Sequence, residues 1–188
     1  MKNDSSQNKL KLVMLNVLTL SRIPLSIMFC VILLSGEDKV FICGFLFLLI
    51  AFTDFMDGKI ARRFHLESKA GARLDVLSDF LFIISSSYIL CIQKLLPPWM
   101  MVVIIFKFVE FLVTSRLAGQ NTKQSNTFLF DRIGRYVAVA FYILPIILLT
   151  LQCLLSLNQY QDITFVLFMI ITFFAFVSVF NRIRLQIC

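Results

Sequence analysis

From Val40 to Gln93 the chain reads VFICGFLFLLIAFTDFMDGKIARRFHLESKAGARLDVLSDFLFIISSSYILCIQ, two apolar runs joined by a polar centre. The runs Val40 to Arg62 and Leu74 to Gln93 are each close to the roughly 20 residues with which an α-helix crosses a hydrocarbon core of about 30 Å. The connection Arg63 to Ala70 is short, so the two helices are expected to be antiparallel neighbours. Four carboxylates, Asp54, Asp57, Asp75 and Asp79, sit at the joined ends, where apolar sequence would be the easy choice. Asp54 and Asp57 are three apart and Asp75 and Asp79 four apart, so each pair shares one helix face. All four are expected to converge just inside a membrane surface.

The same count, carried outward, finds four more runs: Val17 to Ser35, Pro98 to Leu117, Tyr136 to Leu157 and Ile163 to Asn181. The expected fold is therefore all-α, a polytopic membrane protein with six transmembrane helices. The segment Lys9 to Ser21 mixes Leu10, Leu12, Val13 and Leu15 with Lys9, Lys11 and Asn16, and reads either as a short interfacial helix or as the start of the first span. The runs lack the alternation of a lipid-facing barrel. Gly36 to Lys39, Pro97-Pro98 and Asn158-Gln159 are the expected breaks between helices.

Composition agrees. Of 188 residues 59% are apolar and 15% charged, with 21 Phe, and the mean hydropathy is +0.88; a soluble domain carries about a quarter charged residues. A soluble globule is excluded, and residues 1–188 read as a single membrane domain. The net charge of +7 does not point to nucleic acid, because the basic residues sit at the ends of apolar runs rather than along an aromatic-laced stripe. Lys2, Lys9, Lys11 and Arg22, then Lys59 to Arg73, then Arg116 to Arg135, then Arg182 and Arg184 fall on one side, against Lys39 and Lys94 on the other. That asymmetry makes both termini, and the carboxylates, cytoplasmic. Five scattered cysteines form neither a CxxC metal site nor a disulfide framework, and the basic start reads as leading into an uncleaved first span.

Four like charges at one point repel and need a neutralising cation. Oxygen ligands without Cys or His favour a hard divalent ion, Mg²⁺ or Mn²⁺, which keeps open positions for substrate phosphate oxygens. Gly58, Ala61 and Gly71 leave room beside the acids for a ligand, and Arg62 and Arg73 are placed to clamp a diphosphate.

The pattern Asp54-x2-Asp57-Gly58-x2-Ala61-Arg62-x8-Gly71-x3-Asp75-x3-Asp79 resembles, without a missing position, the signature of the CDP-alcohol phosphatidyltransferases. The resemblance implies a six-helix membrane enzyme, usually a homodimer, that transfers a phosphatidyl group from CDP-diacylglycerol to a water-soluble alcohol and releases CMP. It implies two divalent ions held by Asp54, Asp57, Asp75 and Asp79, with Asp79 also the catalytic base, and a CDP site lined by Gly58, Ala61, Arg62 and Gly71, beside Arg73. The chain is somewhat similar to phosphatidylglycerophosphate synthases in Asn16 to Pro24 and in Gly134-Arg135. The expected acceptor is therefore glycerol 3-phosphate, held by Arg116, Arg132 and Arg135, with serine, inositol and inositol phosphate as alternatives and a bacterial plasma membrane as the location. From another class, a small cation transporter could use intramembrane carboxylates, but these four lie at span ends among arginines, which favours an anionic substrate.

Three further expectations concern single features. Lys107 and Glu110, three apart in the fourth span, are expected to pair. His65, without Cys or His partners, is read as a solvated loop residue. The Phe-rich sixth span is expected to face lipid, acyl chains or a second subunit.

Overall fold

The computed structural model of the chain describes residues 21–35, 39–64, 69–121 and 132–187. They form six helices: α1, described over Ser21–Leu34, α2 (Lys39–Phe64), α3 (Lys69–Ile92), α4 (Pro98–Asn121), α5 (Arg132–Leu154) and α6 (Leu157–Ile187). No strand occurs among the described residues. The stretches Val40–Ile60, Leu74–Ile92, Ile133–Leu154 and Leu157–Ile183 are each long and apolar enough to cross a membrane, and Ser21–Leu34 is a shorter apolar helix. The protein is an all-α membrane protein. Helices suit this environment because they satisfy every backbone N–H and C=O within one segment. The helices outrun the apolar counts, α3 beginning at Lys69 and α6 ending at Ile187, since backbone hydrogen bonding continues through polar residues that a hydropathy count stops at.

The chain divides into two compact units, Met1–Phe82 and Ile83–Cys188. In the first, the register of α1, α2 and α3 is set by rings. Phe29 of α1 meets Phe82 of α3 edge to face with centroids 5.2 Å apart, and Phe47 of α2 meets the same Phe82 at 6.3 Å. Arg22 of α1 pairs with Asp75 of α3, two turns before Phe29 and two turns before Phe82, so α1 and α3 run in the same direction. Asp54 lies two turns after Phe47 and joins the same cluster, so α2 runs against them, as the short connection requires. Phe29, Leu33, Leu46 and Ile50 are buried here, while Phe41, Phe45, Phe52 and Phe55 stay exposed, the outward apolar face of a protein whose solvent is lipid.

In the second unit α6 packs against both α4 and α5. Met100, Ile104, Leu144 and Leu148 are buried in it, and Trp99 of α4 meets Phe168 of α6 edge to face at 6.1 Å. Phe168 is therefore core, whereas Phe165, Phe173, Phe176 and Phe180 point outward as expected of the Phe-rich span. Pro145 lies inside α5 without ending it.

The helix ends follow local rules. After α3, Leu95 N–H donates to Leu90 O at 2.9 Å and Lys94 N–H to Cys91 O at 3.1 Å, the paired bonds of a Schellman C-cap, with Lys94 at φ 60° in the position usually given to glycine. Pro98 then opens α4, where its missing N–H removes nothing from the helix. Asn158-Gln159, expected as a break, instead belong to the first turn of α6. Ser156 is the N-cap: its hydroxyl donates to Gln159 Oε1 at 2.9 Å, and its backbone N–H donates to the same oxygen at 3.3 Å. The Ser-x-x-Gln spacing is that of a capping box, which turns two apparent loop residues into a helix start.

Candidate active site

The site lies in the first unit, where α2 brings Asp54 and α3 brings Asp75 and Asp79. One oxygen from each of these three carboxylates lies within 4.8 Å of the others. The side chains are between a third and half exposed, so they face an opening rather than the packed core. Asp75 and Asp79 arrive together because they are one helical turn apart, and Gly71 continues the same face one turn earlier. On α2, Gly58 follows Asp54 by one turn. Both glycines stand on the carboxylate faces of their helices, where the missing Cβ leaves the backbone open to a ligand.

Two unit charges about 5 Å apart repel by roughly 3 kcal/mol at an effective dielectric near 20, before solvent screening. The structure answers this repulsion with Arg22. Its guanidinium, 2% exposed, reaches from α1 into the triangle. Nη1 donates to Asp54 Oδ1 at 2.6 Å and to Asp79 Oδ1 at 2.9 Å, and Nη2 donates to Asp75 Oδ1. The Arg22 carbonyl in turn accepts the Ser26 hydroxyl at 2.7 Å. In the sequence alone Arg22 counts among the charges that set topology. The signal for its second role is the surplus of negative charge on two neighbouring helices, which calls for a cation from a third.

The donor set suits a hard divalent ion. It consists of carboxylate oxygen alone, with no sulfur or imidazole among the described residues nearby. Neighbouring ligand oxygens on an octahedral Mg²⁺ are about 3 Å apart, since each lies 2.0–2.1 Å from the metal, so these oxygens, within 4.8 Å of one another, would draw closer together to share one ion.

The side chains of Asp57, Ala61, Arg62, Arg73, Arg116 and Arg132 lie outside the described residues, as does His65. Arg135 is exposed near the start of α5. The expected partnership of Lys107 and Glu110 is present in the second unit, with Lys107 Nζ donating to Glu110 Oε2 at 2.7 Å. The pair is part of a larger buried cluster. Lys107 also donates to Ser178 Oγ at 2.9 Å, and Arg182 Nη1 donates to Thr114 Oγ1 at 3.1 Å. Arg182 lies 3.7 Å from Glu110 Oε1, is 1% exposed and covers the Phe111 ring at 4.9 Å. Like Arg22, Arg182 reads from the sequence only as a basic residue at the end of a span.

Comparison with known proteins gives one family. Residues 12–180 match the profile of CDP-alcohol phosphatidyltransferase. The chain is 34% identical over 112 residues to the CDP-diacylglycerol--glycerol-3-phosphate 3-phosphatidyltransferase of Bacillus subtilis (strain 168), covering 53% of this chain and 57% of that protein. It is 38% identical over 99 residues to the probable cardiolipin synthase (CMP-forming) of Drosophila melanogaster, covering 52% and 30%. It is 29% identical over 102 residues to CDP-diacylglycerol--glycerol-3-phosphate 3-phosphatidyltransferase 2 of Arabidopsis thaliana, covering 48% and 44%. The matches thus span between 30 and 57% of these relatives' lengths. A three-carboxylate cluster of oxygen donors on two antiparallel helices, inside a profile match that reaches all six helices, leads to one conclusion: the chain belongs to the CDP-alcohol phosphatidyltransferase family.

Proposed function

We propose that the chain transfers a phosphatidyl group from CDP-diacylglycerol to the hydroxyl of glycerol 3-phosphate, releasing CMP. The observation that carries this reading is the meeting of Asp54, Asp75 and Asp79 within 4.8 Å in a chain of this family. Asp54, Asp57, Asp75 and Asp79 hold the metal, Mg²⁺ or Mn²⁺ in two ions. When bound, the metal neutralises charge on the diphosphate as the phosphoryl bond is exchanged. Asp79 accepts the proton of the attacking hydroxyl. The hydroxyl oxygen bonds to the phosphorus that carries the diacylglycerol, the bond from that phosphorus to the CMP oxygen breaks, and CMP leaves with the electron pair.

Gly58, Ala61 and Gly71 line the cytidine diphosphate site, and Arg62 and Arg73 fix its phosphates. Arg116, Arg132 and Arg135 supply positive charge for a phosphorylated acceptor. Glycerol 3-phosphate is favoured because the Bacillus and Arabidopsis relatives carry it in their names. The residues form one catalytic domain that assembles as a homodimer in a bacterial plasma membrane, with both termini and the carboxylates on the cytoplasmic side, where the basic residues collect. Placement of the acids near the ends of Val40–Ile60 and Leu74–Ile92 favours a surface reaction, in which acyl chains stay in lipid, over ion passage through the midplane.

The test is CMP release by purified protein from CDP-diacylglycerol with Mg²⁺, offering glycerol 3-phosphate, serine, inositol and inositol phosphate separately. Release stimulated by glycerol 3-phosphate is expected. Stimulation by another acceptor replaces the alcohol and keeps the chemistry; protein that neither releases CMP nor binds CDP-diacylglycerol ends the transferase reading.

A further inference from the structure

Arg22 of α1 bonds all three carboxylates of the cluster. A guanidinium is planar and always charged, and its Nη1 and Nη2 here are given to Asp54, Asp79 and Asp75. The same three acids bring one oxygen each within 4.8 Å of the others, so a divalent ion that drew an oxygen from each to within about 2.1 Å would stand near the buried guanidinium. Two cations at one half-buried carboxylate cluster repel each other, and the lone pair that each Oδ1 gives to Arg22 is not available to the ion. Arg22 cannot retreat through a change of charge, because guanidinium does not deprotonate in proteins. It can retreat only by moving, and it sits at the start of the described part of α1, one turn before Ser26, which bonds its carbonyl.

We infer that Arg22 is an exchangeable counter-cation: it holds Asp54, Asp75 and Asp79 together, and it gives up bonds to them when a divalent ion binds, so that metal binding is coupled to the position of α1. The inference rests on the reading of these acids as metal ligands. It makes Arg22 a positioning residue that stabilises the carboxylate cluster and at the same time weakens its hold on metal. By linkage, whatever α1 loses on metal binding is a loss of metal affinity, and removing Arg22 returns it. The opposite arrangement, in which Arg22 keeps all its bonds and pre-orients the acids for the ion, makes the opposite prediction.

The experiment measures Mn²⁺ binding by electron paramagnetic resonance on the full chain in nanodiscs, with Tm recorded in EDTA and in Mn²⁺. For Arg22→Gln we expect Mn²⁺ Kd to fall about tenfold, Tm in EDTA to drop, and the rise in Tm on adding Mn²⁺ to exceed that of wild type. Arg22→Lys, which keeps the charge but loses the two-pronged bonding, is expected between the two. Because Arg22→Gln could fail to fold, wild-type hydrogen exchange is measured as well: with Mg²⁺, amides at the start of α1 should exchange faster while those around Asp54 and Asp75 slow. Unchanged or weaker Mn²⁺ binding in Arg22→Gln, or slower exchange in α1 together with α2 and α3, overturns the inference. Wild-type protein that binds no Mn²⁺ overturns the metal reading itself, and the exchange with it.

Discussion

Lys107 of α4 and Ser178 of α6 are joined by a 2.9 Å hydrogen bond from the ammonium to the hydroxyl, both side chains buried, between two helices that also share the Trp99–Phe168 ring pair. Without an aqueous solvent to drive apolar faces together, membrane helices associate through packing and through polar bonds of this kind. Glu110 is the centre of the cluster, since it faces Lys107 at 2.7 Å and Arg182 at 3.7 Å. Replacing Glu110 with Gln leaves two buried cations without their carboxylate, and is expected to destabilise the protein by about 3 kcal/mol. Lys107→Met leaves Glu110 facing Arg182 and is expected to cost less. Thermal unfolding in one detergent checks the order; a greater loss in Lys107→Met contradicts it.

Asp79→Asn retains the shape of the side chain and removes the proton acceptor. Turnover is expected to fall by about 10²–10⁴-fold, while CDP-diacylglycerol binding changes only a few-fold. The two are separated by CMP release and by equilibrium binding of the donor. Near-normal turnover removes Asp79 from the role of base.

EDTA is expected to abolish CMP release, with Mg²⁺ or Mn²⁺ restoring it, because a site of carboxylate oxygens suits hard ions. Asp54→Ala should raise the metal concentration needed for half-maximal activity by at least about tenfold. Activity undiminished after exhaustive chelation is the result that excludes this site as a metal centre.

Arg135→Ala tests the acceptor assignment. If Arg135 contacts the phosphate of glycerol 3-phosphate, KM for that acceptor rises about tenfold, the loss of one charge-assisted hydrogen bond, and KM for CDP-diacylglycerol is unchanged. Equal effects on both substrates, or on neither, return Arg135 to a topological role.

Gln159→Ala removes the side-chain oxygen that accepts both the Ser156 N–H and its hydroxyl at the start of α6. The expected cost is about 1 kcal/mol, visible as faster hydrogen exchange in the first turn of α6 with CMP release unaffected. No change in exchange shows that the cap is dispensable.

The carboxylate cluster is legible in the amino-acid sequence because its ingredients are local. Asp75 and Asp79 share a face by helical spacing, and the short connection after α2 returns the chain beside Asp54. The Lys107–Glu110 pair is legible for the same reason, being one turn apart. The start of α6 is not, when Asn158 and Gln159 are weighed singly as breakers, although Ser156 and Gln159 already carry the spacing of a cap.

Two buried arginines are not legible either. Arg22 is 32 residues from Asp54 and 53 from Asp75, and Arg182 is 68 residues from Thr114. A basic residue at the edge of an apolar run is read the same way whether it meets headgroups or an acid on another helix. The sequence by itself determined a helical membrane protein with acids gathered at the ends of α2 and α3, since hydropathy and helical period act over neighbouring residues. Only the tertiary structure decided that Arg22 meets those acids and that Arg182 meets Glu110, because the first depends on the register of α1 beside α3, set by Phe29 on Phe82, and the second on that of α4 beside α6, set by Trp99 on Phe168 far along the chain.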